Sequence, residues 1–168
     1  MVRPTSDRVK ESLFNIISSY VGGAQVLDLF AGTGSLGIES LSRGAFSAVF
    51  ADKSSTCIAL IKENLAHTGL AGKAEVEKGT AGGVIQKMSH SAKKFDIILM
   101  DPPYNKGYVL QTLNIIEKNG IIKTNGIIAV ERDMDEKIPE AVGKLVLFRE
   151  QAYGGTVISF FSGKMLEK

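Results

Sequence analysis

Apolar positions along this chain follow two rhythms. Short uninterrupted apolar runs alternate with stretches in which apolar residues recur three and four apart. The first rhythm marks strands buried on both faces, the second helices with one face on a core. Residues 6–20 read as a helix whose stripe is Val9, Leu13, Ile16 or Ile17, and Tyr20. Ser6 or Thr5 can cap it, and Asp7 suits its positive first turn. Val26 begins a buried strand that runs through a glycine loop into a helix ending near Arg43. Ser47 to Asp52 is a second strand. Ser54 caps a helix with Ile58, Ile61 and Leu65 on one face, closed by Gly69. Glu75 to Lys78 is a weak third strand, and Val84, Ile85 and Met88 suggest a short helix. Phe95 to Met100 is a fourth strand, Gly107 to Lys118 a helix, and Ile127 to Glu131 a fifth strand. The alternation then stops. Residues 132–143 look like loop. Two strands joined near Tyr153-Gly154-Gly155 form a hairpin within 144–162. The expected class is α/β, a parallel sheet with helices on both faces that gains an antiparallel strand at its end.

Composition narrows the setting. A chain of 168 residues suits one domain over 1–168 with a sizeable core. No apolar run approaches the ~20 residues of a membrane span. Residues 1–8 lack the apolar centre of a signal peptide. Cys57 is the single cysteine, so an internal disulfide is excluded and no metal cluster is suggested. A cytoplasmic protein with no membrane or metal partner is expected; the sequence leaves oligomeric state open. Net charge is +2, so any nucleic-acid role must rest on local basic clusters.

The fourth strand carries the strongest chemical signal. It runs into Asp101-Pro102-Pro103-Tyr104. Neither proline can donate a ladder hydrogen bond, so the strand stops there. Asp101 and Tyr104 are held at the strand's C-terminal end, where ligands sit in open α/β sheets. The tetrapeptide resembles the motif of methyltransferases that act on exocyclic amines of nucleobases.

Upstream, Gly32-Thr33-Gly34-Ser35-Leu36-Gly37 satisfies G-x-G-x-x-G, and Asp52 ends the next strand. Alone, this fits a nicotinamide-dependent dehydrogenase. Two details oppose that reading. Asp28 lies inside the strand, where a charge is costly without a cationic partner such as the ammonium of a methionine moiety. The Asp-Pro-Pro-Tyr run has no function in hydride transfer. Asp28, Phe30, Gly32 and Gly34 together, within motif I at 26–37, resemble motif I of S-adenosylmethionine-dependent methyltransferases. Asp52 then resembles the acid that takes two hydrogen bonds from the ribose diol. The competing readings are a helix-capping Asp52 and an ordinary tight turn.

The blocks Arg3 to Asn15, Asp28 to Glu39, Asp101 to Tyr104 and Tyr153 to Thr156 together resemble the bacterial small-subunit ribosomal RNA guanine-N2 methyltransferase family, the RsmD family. The resemblance spans essentially the whole chain. It implies a Rossmann-like seven-stranded class I methyltransferase sheet of order 3-2-1-4-5-7-6, with strand seven antiparallel. It implies methyl transfer from S-adenosylmethionine to the N2 amine of one guanine in 16S rRNA, with rRNA or the 30S particle as partner. The implied catalytic set is Asp101, Pro102, Pro103 and Tyr104, with Tyr104 stacking on an extruded base. The implied cofactor set is Asp28, Phe30, Gly32, Thr33, Gly34, Asp52, Lys53, Thr80 and Ala81. Glu11 and Asn15 would help shape the cofactor pocket. Arg3, Arg8, Lys10 and Lys106 are the candidates for RNA contact.

Two departures from the family pattern stand out. A short basic segment commonly precedes the Arg-Pro-Thr block, whereas two residues precede Arg3 here, which leaves the RNA affinity of this chain an open question. Thr80 also occupies a region where an Asp or Asn commonly faces the adenine amine. Remaining alternatives are an adenine-N6 or cytosine-N4 methyltransferase, a nicotinamide dehydrogenase, and a non-catalytic RNA-binding assembly factor.

Overall fold

The computed structural model describes residues 6–163. The elements run α1 (Asp7–Val21), β1 (Gln25–Leu29), α2 (Ser35–Ser42), β2 (Ser47–Asp52), α3 (Ser55–Thr68), β3 (Ala74–Lys78) and α4 (Ala81–His90). Then come β4 (Phe95–Met100), α5 (Tyr108–Asn119), β5 (Ile122–Asp133), β6 (Ala141–Val142), β7 (Leu145–Tyr153) and β8 (Thr156–Ser162). They build an eight-stranded sheet of order β3-β2-β1-β4-β5-β8-β7-β6. The first five strands are parallel, and β8 lies antiparallel between β5 and β7. This is the expected α/β arrangement with one strand more. The addition is β6, whose two residues pair with Leu145 and Val146 at the sheet's edge. A strand that short carries no periodicity to read.

Residues alternating along each strand supply two cores. On one face Val26, Phe50, Leu99 and Ile127 pack with Leu13, Phe14, Leu36 and Ile61 of α1, α2 and α3. On the other, Leu27, Val49, Ile98 and Ile128 pack with Ile85, Met88, Leu113 and Ile116 of α4 and α5. Ser6 caps α1 by accepting from the Val9 amide. No helix among the described residues is long and apolar enough to cross a membrane.

Strand β5 begins earlier than its apolar run suggests. Phe95 pairs with Ile122, Ile97 with Ile127, so residues 123–126 leave the ladder between them. The excursion brings the Lys123 ammonium 3.1 Å from the Asp96 carboxylate, which also accepts from the Gln25 amide at 2.8 Å. Asp96, the one acid within the apolar β4 run, is thereby satisfied at the strand's N-terminal end. At the opposite end of β5, Arg132 is buried. Its guanidinium donates to Ser159 Oγ at 3.0 Å, to the Glu136 carbonyl at 2.7 Å and to the Glu150 carboxylate. That cation fixes the segment after β5 to the hairpin. Burial pushes the Glu150 carboxyl up, but hydrogen bonds from Arg132 and Ser159 and the guanidinium charge leave it below the usual range.

The chain winds outward from β1 through β2 to β3, then returns to place β4 on β1's other side. The reversal opens a crevice at the C-terminal ends of β1 and β4. Both sequence motifs converge there.

Candidate active site

Asp28 sits in β1 with about 1% of its surface exposed. Its Oδ2 accepts the Gly37 amide at 2.9 Å, so the strand's buried acid anchors the first turn of α2. Beyond β1 the chain turns sharply. Phe30 is held at φ 57°, a left-handed conformation unfavourable for a residue with a bulky side chain. Gly34, at φ 83°, stands at the N-cap of α2. Gly37 answers a different need: a Cβ there would lie 2.3 Å from Phe50 Cε2, inside any real contact. Helix and strand therefore approach through a missing side chain, as in the third position of dinucleotide-binding glycine loops. Asn64 of α3 donates to the Thr33 carbonyl at 2.9 Å and holds the loop from outside.

Asp52 gathers the neighbouring loops. Oδ2 accepts the Gly32 amide and Oδ1 the Ser54 amide, both at 2.9 Å. Its own carbonyl accepts the Gly79 amide at 3.0 Å. Asp52 is not the cap of α3; Ser54 is, accepting from the Cys57 amide. A carboxylate offers about four acceptor positions, so each oxygen keeps one for a diol. Thr80 caps α4 by accepting from Gly83, and Ala81 begins that helix. Lys53 lies with its ammonium 6.0 Å from the Tyr108 ring centroid, and Phe30 meets the same ring at 5.9 Å. Tyr108 thus joins the loops after β1 and β2 to the start of α5.

Burial pushes the Asp28 carboxyl well above its ordinary range, and the charges of Asp101 and Asp52 push it further; the Gly37 hydrogen bond only partly opposes them. The charges of Asp101 and Asp52 thus both reach Asp28 at the adjoining ends of β1, β2 and β4. Such a site favours a cationic ligand, whose charge offsets the repulsion and the burial together. S-adenosylmethionine, with an α-ammonium and a sulfonium, fits this donor set.

At the end of β4, Pro102 is buried, Pro103 exposed, and Asp101 and Tyr104 half-buried. The Tyr104 hydroxyl lies 3.0 Å from Thr156 Oγ1 on β8 and donates to Glu131 Oε2 on β5 at 3.4 Å. The ring is thus pinned by its tip from two strands. Asn105 follows at φ 57°. Its amide donates to Glu136 at 3.2 Å and its side chain to Asp133 at 2.9 Å.

Sequence reasoning gave no role to Asn64, Tyr108 or Thr156 in this constellation. Thr156 stood in a quoted block, but pairing across |i−j| = 52 leaves no local signal. Arg3 lies outside the described residues. Arg8 is exposed on α1, while the Lys10 ammonium lies 3.8 Å from Glu39, which also pairs with Arg43 at 2.8 Å. Lys106 is exposed in the loop right after Asn105. Glu11 and Asn15 are exposed on α1 rather than folded into its packed face.

Comparison with known proteins adds an independent line. The profile of the family described as conserved hypothetical protein 95 matches residues 1–162. The chain is 38% identical over 159 residues to the YlbH protein of Bacillus subtilis, covering 95% of this chain and 86% of that one. It is 36% identical over 156 residues to the ribosomal RNA small subunit methyltransferase D of Escherichia coli, covering 91% and 75%. Among solved structures, the yhhF protein of Escherichia coli superposes with a TM-score of 0.82 at 32% identity, covering 97% and 88%.

Proposed function

We propose, on the premise that this chain belongs to the conserved hypothetical protein 95 family, that it methylates the exocyclic N2 amine of a guanine in 16S rRNA. The observation that carries the reading is the meeting of two motifs at one crevice. The Asp101-to-Tyr104 run ends β4 beside the glycine loop of β1, and Tyr104 is fixed there by Thr156 and Glu131.

S-adenosylmethionine, when bound, supplies a methyl group activated by the positive charge on its sulfur. Asp28 and the glycine loop would hold its methionine end, and Asp52 the ribose diol, with Lys53, Thr80 and Ala81 flanking the adenine side. The guanine amine is a poor nucleophile because its lone pair is delocalised into the ring. The protein's task is therefore mainly positioning, with reacting atoms held ~3–3.5 Å apart. Asp101 accepts a hydrogen bond from the amine and the Pro102 carbonyl accepts the other. Together they draw the lone pair onto nitrogen and stabilise the positive charge that develops there. Asp101 then takes the proton once the nitrogen has become acidic. Tyr104 offers its ring to the extruded base, a stacking contact of about 1–3 kcal/mol.

The test is incubation with labelled S-adenosylmethionine and undermethylated 30S particles, beside Asp101→Ala, followed by nucleoside analysis. Label in N2-methylguanosine with the wild type, and its loss in the variant, is expected. Label in an adenine or cytosine amine would transfer the reading to another base. No label in RNA despite measurable donor binding would overturn the rRNA assignment.

A further inference from the structure

Beside the Asp101-to-Tyr104 motif lies an open recess of about 530 Å³, lined by Asn105, Leu110, Gln111, Asn114, Glu136 and Lys137, with Gly107 at its edge. Its size falls within the ~300–1,000 Å³ typical of ligand clefts. None of these residues belongs to the donor-binding set. The recess adjoins the far side of the motif from Asp28 and Asp52, between the loop after β4 and the segment after β5. We infer that it is a second nucleotide subsite, which receives an unpaired RNA base next to the target guanine. The inference rests on the methyltransferase reading above.

The lining argues for a base rather than a phosphate. Glu136 and Lys137 cancel in charge, so nothing concentrates positive potential for a phosphate. Asn105 is already committed to Asp133 and Glu136. Gln111 and Asn114 are exposed on α5, and their side-chain amides make no hydrogen bond among the described residues. Carboxamides offer a donor and an acceptor side by side, the pattern that reads a base edge. Leu110, 40% exposed on the same helix one turn before Asn114, supplies an apolar surface for the ring. The walls are set in advance: Arg132 grips the Glu136 carbonyl at 2.7 Å, and α5 packs on the core through Val109, Leu113 and Ile116.

Continuity selects the occupant. Asn105 follows Tyr104 directly, so a strand that delivers one base to Tyr104 passes this recess. Single-stranded RNA is read by splaying bases into such pockets. Lys106, exposed between Asn105 and Gly107 at the recess edge, would offer its ammonium to the phosphate that connects the two bases.

The experiment is methyl transfer to undermethylated 30S particles by Gln111→Ala, Asn114→Ala and the double variant. Alanine suits exposed helix positions, so folding is retained. Each single variant should raise KM for the particle about 2- to 12-fold and the pair about fourfold or more, with kcat and S-adenosylhomocysteine affinity unchanged. A KM within twofold of wild type for the double variant, or a loss confined to kcat, would overturn the inference. So would a KM change seen with particles but absent with protein-free 16S rRNA, which would assign the recess to a protein. Should the wild type methylate no rRNA guanine, the functional reading fails separately. The recess is then judged by filter binding of 16S rRNA: weaker binding by the double variant supports it, and equal binding rejects it.

Discussion

Replacing Asp28 by Asn should move stability and donor affinity in opposite directions. The substitution keeps the side chain's shape and an oxygen able to accept the Gly37 amide. It removes a charge that burial, Asp101 and Asp52 all oppose. An aspartate in the unfolded chain titrates near ~3.9. With the folded value raised, Asp28's stabilising contribution is fully present below that pH. It is lost as pH rises through the folded value. The variant escapes that loss, so its advantage in Tm over wild type should grow with pH and then level off. Affinity should fall, because a hydrogen bond from a cation to a carboxylate contributes about 1.5–3 kcal/mol, or about 10- to 150-fold in Kd. Thermal unfolding of the ligand-free proteins from pH 4 to 8 reads the first effect. Calorimetric titration with S-adenosylhomocysteine, which keeps the ammonium, reads the second. A stability difference that does not vary with pH, or undiminished binding, would refute the reasoning.

Gly37→Ala should destabilise although alanine favours helices. Overpacking against Phe50 costs about 1–3 kcal/mol and a helical Gly-to-Ala change returns about 0.5–1 kcal/mol, so mid-range values leave about 1 kcal/mol and a Tm lowered by about 2–4 °C. Adding Phe50→Leu should recover part of it, a coupling that a double-mutant cycle measures. Thr156→Val should slow methyl transfer about 2- to 12-fold through the loosened Tyr104 ring. Affinity for S-adenosylhomocysteine should stay unchanged, and Thr156→Ser should restore the rate; a drop in donor affinity would contradict the role.

What could be read from the sequence was whatever local rules determine. The β4 run and its proline stop, the β2 bounds, and the caps Ser6 and Ser54 all follow from neighbours in sequence. Lys123 to Gly126 looked like a connection because a ladder excursion and a turn use the same residues; only the pairing of Ile122 with Phe95 separates them. The site was legible as motifs and silent as wiring. Thr33 depends on Asn64, and Tyr104 on Thr156 and Glu131, through bonds between distant positions. The sequence suggests Asp52 as a ligand acceptor; its hold on the Gly32 and Ser54 amides is a tertiary fact.

That hold has a consequence for motion. Gly32, Ser54 and Gly79 lie in three different loops, yet their amides all end on atoms of Asp52. No one of these protons can exchange with solvent without breaking a bond to the same residue. In hydrogen–deuterium exchange under native conditions, the Gly32 and Ser54 amides, which share one carboxylate, should open with closely matched free energies. Asp52→Ala should release the Gly32 and Ser54 amides together, while the Gly79 amide, held by the backbone carbonyl that alanine keeps, and the Gly37 amide, tied to Asp28, retain their own rates.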